Sequence, residues 1–371
     1  MTVVSVLHVA QPTDGGVAGY VVAACRDQML RGWNVTVACP PEGRLAEELS
    51  RLGVPSLAWP AGRSPGAASL DEARRLGRLV EARRPDVVHL HASKAGLAGR
   101  LALRGSVPTL FQPHAWSWLA VGGAVRRASI AWERAAARWT TLFVCVGAAE
   151  AEQGRAMRVR GRYTVVRNGV DLDRFRPAGD DVRAAARRQL DIRQTAPVAV
   201  CVGRVTRQKG QDVLVPAWRL VRDRCPDAEL VLVGDGDLLP ALRDTAPPGV
   251  RFAGAATDVR PWLAAADLVV LPSRWEGLPL TALEALATGR PVVASAVPGL
   301  VEVVAPGTGA LVPPQDPAAL ADALTQRLRD RTGTATEGAA AARHAHRFDL
   351  THTFDRLAAV TGSLVPQGVL A

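Results

Sequence analysis

Residues 198–210 read VAVCVGRVTRQKG, a short apolar run that turns into a basic loop. The apolar run predicts a strand buried on both faces, as in a parallel sheet covered by helices. The loop that follows carries Arg204 and Lys209 at the carboxyl end of this strand. Because open parallel sheets bind ligands at that end, the two cations predict a site for an anion such as a diphosphate.

Similar apolar runs recur along the chain and alternate with helical stretches. Before residue 170 they are VSVLHV, NVTVAC, VPSLAW, DVVHLH, PTLFQP, TLFVCV and YTVVRN, and after residue 196 they are VAVCVG, ELVLVG, VRFAG, LVVLPS, PVVAS and GALVP. This alternation predicts an α/β protein with two doubly wound, Rossmann-like domains in tandem. We expect the site in a cleft where the carboxyl edges of the two sheets face each other.

The segment NGVDLDRFRP, residues 168–177, has turn residues at one end and a proline at the other. It predicts a hinge between the domains. We therefore expect an N-terminal domain of residues 1–168, a hinge at 169–178 and a C-terminal domain of residues 179–347. Residues 348–371 contain a last helix, at about Thr351–Thr361, which can pack on either domain, including back on the first.

Cellular location is predicted from the ends and from the cysteines. The chain begins MTVVSVLHVA without a basic leader, and it contains no long uncharged apolar stretch, so we expect no signal peptide and no spanning helix. The five cysteines are odd in number, form no CxxC pair and predict reduced core thiols. We expect a cytoplasmic protein, with a place at the inner face of the membrane as an option.

The net charge of +10 is the strongest bias of composition. Only two of the 45 basic residues, Lys94 and Lys209, are lysine, and genome base composition can produce such an arginine skew. No RNP, zinc-finger or helix-turn-helix pattern occurs, so we expect no nucleic-acid partner. DEARRLGRLVEARRP from Asp71 and VRRASIAWERAAARW from Val125 leave open a contact with anionic lipid, through Trp132 and Trp139 in the second stretch, against a solvated helix face.

A second informative stretch, residues 275–291, reads WEGLPLTALEALATGRP and follows the apolar run LVVLPS. Pro279 suits a first helical turn and Gly289 a stop, which predicts a helix from about Pro279 to Thr288. The free amides of Leu280 and Thr281, with the helix dipole, would then form an anion site without side-chain charge.

Two glutamates of this stretch suit a nucleotide sugar. Glu276 lies in the loop before the helix, and Glu284 lies roughly 7 Å further along it at 1.5 Å per residue. A carboxylate can accept hydrogen bonds from two hydroxyls, so one glutamate fits the sugar and the other the ribose, with the diphosphate at the helix end. A solvated helix glutamate is the alternative for Glu284.

Four motifs resemble those of one enzyme family. EGLPLTALEALATGRPVVAS followed by PGLVE is similar to the E-x7-E signature of the retaining GT-B glycosyltransferases of family 4. GRVTRQKG resembles the phosphate loop of that family, NGVDLDRFRP its interdomain segment and VLHVAQPTDGGVAGYV its N-terminal glycine loop. The motifs keep the family's order and span most of the chain. PGLVE departs from the GGxxE of many members at Pro298, while Gly299 and Glu302 fit.

The resemblance implies roles for individual residues. Arg204 and Lys209 would hold the donor diphosphate, Glu276 the transferred sugar, and His114 of FQPHAW would match the family's cleft histidine near that sugar. Gly16 would let its backbone approach the phosphate, and Glu284 would hold the ribose. The N-terminal domain would take the acceptor and the C-terminal domain the nucleotide sugar. The expected donor-binding residues are Gly15, Gly16, Gly203, Gly277, Leu278, Leu280, Thr281 and Glu284.

The resemblance implies a retaining glycosyltransferase of the hexosyltransferase type, without metal or other cofactor. The donor would be a nucleoside diphosphate sugar, with UDP favoured over GDP, and the acceptor a small molecule or a lipid-linked molecule. The leaving phosphate itself would take the acceptor's proton. A non-catalytic nucleotide-sugar-binding protein and a GT-B epimerase are the alternatives.

Two DxD sequences offer a metal-dependent alternative, at Asp171–Asp173 in the hinge and at Asp235–Asp237 after ELVLVG. A different glycosyltransferase fold holds Mn²⁺ or Mg²⁺ with this motif. For the second we favour a role as helix cap, which aspartate fills well. GxGxxG after the first strand and GxxxxGK[ST] do not occur, which argues against a dehydrogenase and a P-loop enzyme.

Overall fold

The computed structural model describes residues 3–63 and 65–365. The chain divides into two compact units, one of Met1–Arg167 with His352–Ala371 and one of Asn168–Thr351. Each unit contains a parallel sheet with helices in its crossovers. The predicted class, two doubly wound α/β domains in tandem, is confirmed. Met1, Thr2 and residues 366–371 of the predicted C-terminal segment lie outside the described residues.

The N-terminal unit is built on a seven-stranded sheet of order β3-β2-β1-β4-β5-β6-β7. Its strands are β1 Ser5–Ala10, β2 Asn34–Cys39, β3 Ser56–Ala58, β4 Val87–His91, β5 Thr109–Gln112, β6 Leu142–Cys145 and β7 Tyr163–Val165. Its helices are α1 Gly15–Leu30, α2 Arg44–Arg51, α3 Ser69–Arg83, α4 Ala92–Leu103, α5 Gly123–Ala136 and α6 Ala148–Ala156.

The C-terminal unit is built on a six-stranded sheet of order β10-β9-β8-β11-β12-β13. Its strands are β8 Val198–Val202, β9 Glu229–Val233, β10 Val250–Gly254, β11 Leu268–Leu271, β12 Val292–Ser295 and β13 Gly309–Val312. Its helices are α7 Asp180–Gln189, α8 Gln211–Arg224, α9 Leu239–Thr245, α10 Arg260–Ala265, α11 Leu280–Ala287, α12 Pro298–Val301, α13 Pro317–Arg329 and α14 Arg331–Ala345. Helix α15, Leu350–Gly362, follows, and its residues from His352 onward belong to the N-terminal unit.

Burial explains why the strands read as continuous apolar runs. All five residues of β4 and all five of β8 are buried, because helices cover both faces of a parallel sheet. Strand β4 nevertheless contains His89 and His91, which are fully buried with the apolar residues. The N-terminal sheet therefore carries polar groups inside its core.

Each sheet has a switch point where the order of strands reverses. It lies between β1 and β4 in the N-terminal unit and between β8 and β11 in the C-terminal unit. The loops at the carboxyl ends of these strands diverge there and leave room for a ligand. The glycine loop, the basic loop of residues 203–210 and the loop before α11 all leave strands that border a switch point.

Two further predictions concern the cysteines and the helices. All five cysteines are buried and form no disulfide, as predicted. Among the described residues, no helix combines the length and the apolar composition needed to cross a bilayer.

Candidate functional site

Two loops meet at the carboxyl edge of the C-terminal sheet. Residues 203–210 follow β8, residues 272–279 follow β11, and the two strands are hydrogen-bonded neighbours. The Arg274 amide donates to the Gln208 carbonyl at 2.8 Å, and Gln208 Nε2 donates to the Trp275 carbonyl at 3.1 Å. Two distant sequence motifs therefore form one continuous surface.

Lys209 and Glu276 form an ion pair in this surface. Lys209 Nζ lies 2.7 Å from Glu276 Oε1, and the Ser273 hydroxyl donates to the same oxygen at 2.7 Å. Glu276 is 7% exposed, whereas the Lys209 side chain is 20% exposed. Lys209, predicted to bind the diphosphate, and Glu276, predicted to bind the sugar, thus lie side by side. One carboxylate oxygen of Glu276 contacts both Lys209 and Ser273.

Arg274 holds the two loops together. Its guanidinium forms a two-pronged ion pair with Asp212, at 2.7 and 2.8 Å, and donates to the Arg207 carbonyl at 2.8 Å. Such forked pairs fix direction as well as distance. Sequence reasoning missed Ser273, Arg274 and Asp212, because single hydroxyls and arginines are common in this chain and only the tertiary contact distinguishes them.

Helix α11 begins beside Glu276, one residue later than predicted. Pro279 is its N-cap, with extended backbone at φ −72° and ψ 124°, and is not in the first turn. A proline offers no side-chain acceptor, and no side chain of the described residues caps this end. The first amides, those of Leu280 and Thr281, are therefore available to an anion. Glu284 is half-buried further along the helix.

The other predicted donor residues of this unit play different parts. Gly203 donates its amide to the Val233 carbonyl at 2.9 Å, so that amide is already engaged in the structure. Arg204 follows it directly with an exposed side chain. The Leu278 carbonyl accepts a hydrogen bond of 2.7 Å from Asn168 Nδ2, which ties the predicted hinge segment to the loop of Glu276.

Gly299 packs closely against the backbone of the loop that contains Glu276 and Gly277. A Cβ atom at this position would stand 2.0 Å from the Gly277 carbonyl oxygen. Only glycine permits this approach. The second residue of PGLVE is thus the one that the backbone requires, and Pro298 simply begins α12.

Local structure accounts for both DxD sequences. Asp235 and Asp237 are exposed, and α9 begins at Leu239 with Leu238 as its N-cap, so the predicted aspartate cap is wrong. A Cβ atom at Gly236 would stand 2.2 Å from the Val205 carbonyl oxygen, which shows that this loop packs tightly on the basic loop. Asp171 Oδ1 instead accepts the amides of the two residues at 173 and 174, each at 3.0 Å, and closes a turn.

In the N-terminal unit, His114 lies in a strained loop after β5. His114 and Ala115 have φ angles of 52° and 82°, in the left-handed region that side chains other than glycine rarely adopt. Glu150 at the start of α6 holds this conformation, because its carboxylate accepts the Ala115 amide at 2.6 Å and the Val146 amide at 2.8 Å. Strain of this kind, on the order of 1–3 kcal/mol per residue, is concentrated at functional sites.

The surroundings of His114 keep its ring neutral. Its Nε2 atom lies 3.1 Å from His91 Nδ1, and the Tyr20 ring packs edge-on against it with 5.2 Å between centroids. Burial lowers the pKa of His114 to about 3. At neutral pH this side chain offers a hydrogen-bonding group and not a charge.

The predicted glycine loop lies at the start of α1. Gly15 and Gly16 are the first two helical residues, Gly15 has a φ of 79°, and the Asp14 side chain makes no capping hydrogen bond. The amides of this helix end point to the carboxyl edge of the N-terminal sheet, beyond β1. The geometry thus suits the predicted backbone contact with an anion.

A cavity of about 270 Å³ lies elsewhere in the C-terminal unit. Its walls include Asp267, Gly289 and Arg290, which precede β11 and β12 and so lie at the amino edge of the sheet. Arg290 is engaged with the carbonyls of Leu263 and Ala264, at 3.0 and 2.8 Å. This cavity is opposite the loops described above and is not part of the candidate site.

Two family models match the chain. The model of "Glycosyl transferases group 1" matches residues 196–330, and that of "Glycosyltransferase Family 4" matches residues 14–174. Together they cover the start of α1, the His114 loop and the two loops of residues 203–210 and 272–279.

Named glycosyltransferases are among the similar proteins. A D-inositol 3-phosphate glycosyltransferase of Jonesia denitrificans is 35% identical over 311 residues, 76% of this chain and 73% of that protein. A GDP-mannose-dependent phosphatidylinositol monomannoside mannosyltransferase of Corynebacterium glutamicum is 38% identical over 189 residues, 48% of this chain and 50% of that protein. The chain thus spans about half the length of several of the relatives it matches.

Solved structures agree on the fold. The Anabaena HepE protein in complex with UDP and glucose superposes with a TM-score of 0.83 at 22% identity, over 97% of this chain and 100% of that one. Sucrose-phosphate synthase of Thermosynechococcus elongatus gives 0.82 at 23% identity, over 97% and 98%. The fold is GT-B, as predicted.

Proposed function

Because the chain belongs to glycosyltransferase family 4, we propose that it transfers a sugar, with retention and without a metal, from a nucleoside diphosphate sugar to a small or lipid-linked acceptor. The observation that carries this proposal is the Lys209–Glu276 pair beside the uncapped start of α11. The cation of Lys209, the uncapped amides of α11 and the carboxylate of Glu276, which can accept hydrogen bonds from hydroxyls, lie within one surface, as the binding of a sugar diphosphate requires.

The chemistry asked of this surface is electrostatic. Charge grows on the departing diphosphate as the sugar bond breaks, and Lys209, Arg204 and the α11 amides are set to stabilise it. Glu276 accepts hydroxyls of the sugar, and Ser273 keeps its carboxylate oriented. Cys201 nearby is no nucleophile, since burial raises its pKa to about 12. The leaving phosphate takes the acceptor's proton.

Relatives bear names with different donors. One is GDP-mannose-dependent, and another, from Escherichia coli, is named for UDP-Gal and a diphosphoundecaprenol acceptor. We rank UDP first and GDP second for this chain. A nucleotide-sugar-binding protein without activity and an epimerase remain the competing functions.

A melting-temperature panel with UDP, GDP, ADP and dTDP tests the donor site. A nucleotide at 100 times its Kd stabilises the folded state by about 2.7 kcal/mol, so UDP or GDP is expected to give the largest shift. Negligible shifts with all four would refute the site. Labelled donors then separate the functions: transfer of label in the presence of EDTA supports the proposal, and loss of donor without an acceptor indicates an epimerase.

Glu276 and Glu284 are expected to differ when each is changed to glutamine. Glu284→Gln weakens ribose contacts in ground and transition states alike and should mainly raise donor KM. Glu276→Gln should lower kcat and leave the affinity for free nucleotide nearly unchanged, since the free nucleotide carries no sugar. Calorimetric titration of the nucleoside diphosphate into both variants decides: equal weakening contradicts the assignment.

Peripheral membrane contact is a further part of the proposal. Residues 121–128, which include the first residues of α5, are all exposed, and they combine Val125, 62% exposed, with Arg126 and Arg127. Trp132 and Trp139 are half-buried, so this exposed segment, and not the tryptophans, is the face that we assign to lipid. Val125→Asp should reduce sedimentation with anionic vesicles, whereas Val182→Asp, at the comparably exposed Val182 of α7, should not. Equal sedimentation of both variants would contradict this assignment.

A further inference from the structure

Three histidines form a buried polar layer on one face of the N-terminal sheet. His8 of β1 lies opposite His89 of β4 in the sheet register, and His91 follows two positions later. Side chains two apart on a strand share a face, and all three are fully buried. His8 stands at the start of the glycine-loop motif VLHVAQPTDGGVAGYV, but the proposed function gives no role to any of the three rings.

Hydrogen bonds link two of these rings to His114. Gln28 Oε1 of α1 lies 2.8 Å from His8 Nε2, His8 Nδ1 lies 2.9 Å from His91 Nε2, and His91 Nδ1 lies 3.1 Å from His114 Nε2. Both ring nitrogens of His8 and of His91 therefore take part in this series of hydrogen bonds. His114 takes part through Nε2 only, and its Nδ1 atom lies outside the series.

This series of hydrogen bonds determines which nitrogen of each ring carries the proton. A neutral imidazole has one donor and one acceptor nitrogen, so fixing one end of a chain of neutral rings fixes all of them. Burial holds the pKa of His8 at about 4 and that of His91 well below its ordinary value, so both rings are neutral. With the Gln28 oxygen as the terminal acceptor, the proton lies on Nε2 of His8, of His91 and of His114 in turn.

The geometry points to a relay in which Gln28, His8 and His91 act as positioning residues that fix His114 as its Nε2–H tautomer. His114 then presents Nδ1 as a hydrogen-bond acceptor to a hydroxyl of the substrate at the carboxyl edge of the N-terminal sheet. The assignment of that hydroxyl to the substrate rests on the proposed function. The tautomer itself rests only on the hydrogen bonds within this unit.

A metal ion is the competing occupant of the layer. The candidate ligand atoms of His8, His89 and His91 lie within 4.8 Å of one another. The direct hydrogen bond between His8 and His91 would have to break, and no carboxylate among the described residues hydrogen-bonds to these three rings to balance the charge of a cation. The hydrogen-bonded relay therefore accounts better for the observed contacts.

His89 provides a matched control. It is as deeply buried as His8 and lies next to it across the same strand pair, yet none of the hydrogen bonds that link Gln28, His8, His91 and His114 involves it. His8→Phe removes a link of the relay, whereas His89→Phe makes the same change in the same layer outside it. Gln28→Met removes the terminal acceptor with little change in volume and serves if His8→Phe does not fold.

The test is nitrogen-15 NMR of histidine-labelled full-length protein, with kinetics of the same variants. The wild type is expected to show His114 protonated on Nε2 only, and His8→Phe and Gln28→Met to mix its tautomers and lower kcat/KM roughly tenfold, the value of one hydrogen bond. His89→Phe should change neither. A His114 that is charged or protonated on Nδ1 in the wild type overturns the relay, as do equal effects of the His8 and His89 variants or stoichiometric bound metal. Mixed tautomers with unchanged turnover would uphold the relay and refute the role of His114 in transfer.

Discussion

Replacing Lys209 with alanine is expected to lower kcat by about 10²–10³-fold, the usual effect of removing one preorganised group that stabilises transition-state charge. Lys209 is in direct contact with Glu276, the residue proposed to bind the sugar, because its Nζ atom lies 2.7 Å from Glu276 Oε1. In the proposed reaction it acts on the diphosphate charge that grows as the bond breaks. Its loss should therefore lower kcat more than it raises donor KM.

The same substitution leaves Glu276 buried without its cation, so folding must be measured with activity. Ser273 still donates to the carboxylate, and we expect a loss of stability on the order of 1–3 kcal/mol. Arg219→Ala is the matched control, because Arg219 is an exposed cation on the neighbouring α8. A folded Lys209→Ala protein with turnover close to that of Arg219→Ala would refute the electrostatic role.

The strands could be predicted because each has a local cause. Buried parallel strands such as β8 are continuous apolar runs, and turn residues bound them in the sequence. The order of the motifs along the chain then placed Arg204, Lys209 and Glu276 at the carboxyl ends of β8 and β11. This much follows from topology alone, since the loops of neighbouring parallel strands share an edge.

Contacts between distant positions could not be predicted in the same way. Glu150 reads as an ordinary helix glutamate, yet it shapes the His114 loop from 35 positions away. Lys209 and Glu276 are 67 positions apart in the sequence. The sequence shows both charges, but it does not show that they form an ion pair. Pro279 was placed one residue too far into its helix, because proline suits both the N-cap and the first turn and only the backbone angles distinguish them.

The buried histidines show the same limit. His8, His89 and His91 stand in runs that read as apolar strands, and their alternation with valine and leucine gives no sign of a shared layer. The register of β1 against β4 brings the first two together, and register is a tertiary property. A histidine inside a predicted core strand is therefore the signal to examine when a buried polar network is sought.

Mild acid is expected to destabilise the N-terminal unit because of this layer and of His114, which is hydrogen-bonded to it. Burial lowers the folded-state pKa of His8 to about 4 and of His114 to about 3, and those of His89 and His91 lie well below 6.5. The unfolded chain binds these protons near pH 6.5 and the folded one does not. Stability is therefore fully present above pH 6.5 and is lost as pH falls below it, by about 1.4 kcal/mol per pH unit for each histidine.

Urea unfolding of the full-length protein at pH 7.5, 6.5, 5.5 and 5.0 measures this loss. Four histidines together should lower the free energy of unfolding by several kcal/mol at pH 5.0, a large share of the stability of a domain. His89→Phe removes one of the four protons, so the loss between pH 7.5 and 5.0 should be smaller in this variant than in the wild type. Unchanged stability of the wild type over this range, or identical pH dependence in the two proteins, would show that the histidines are not held neutral by burial.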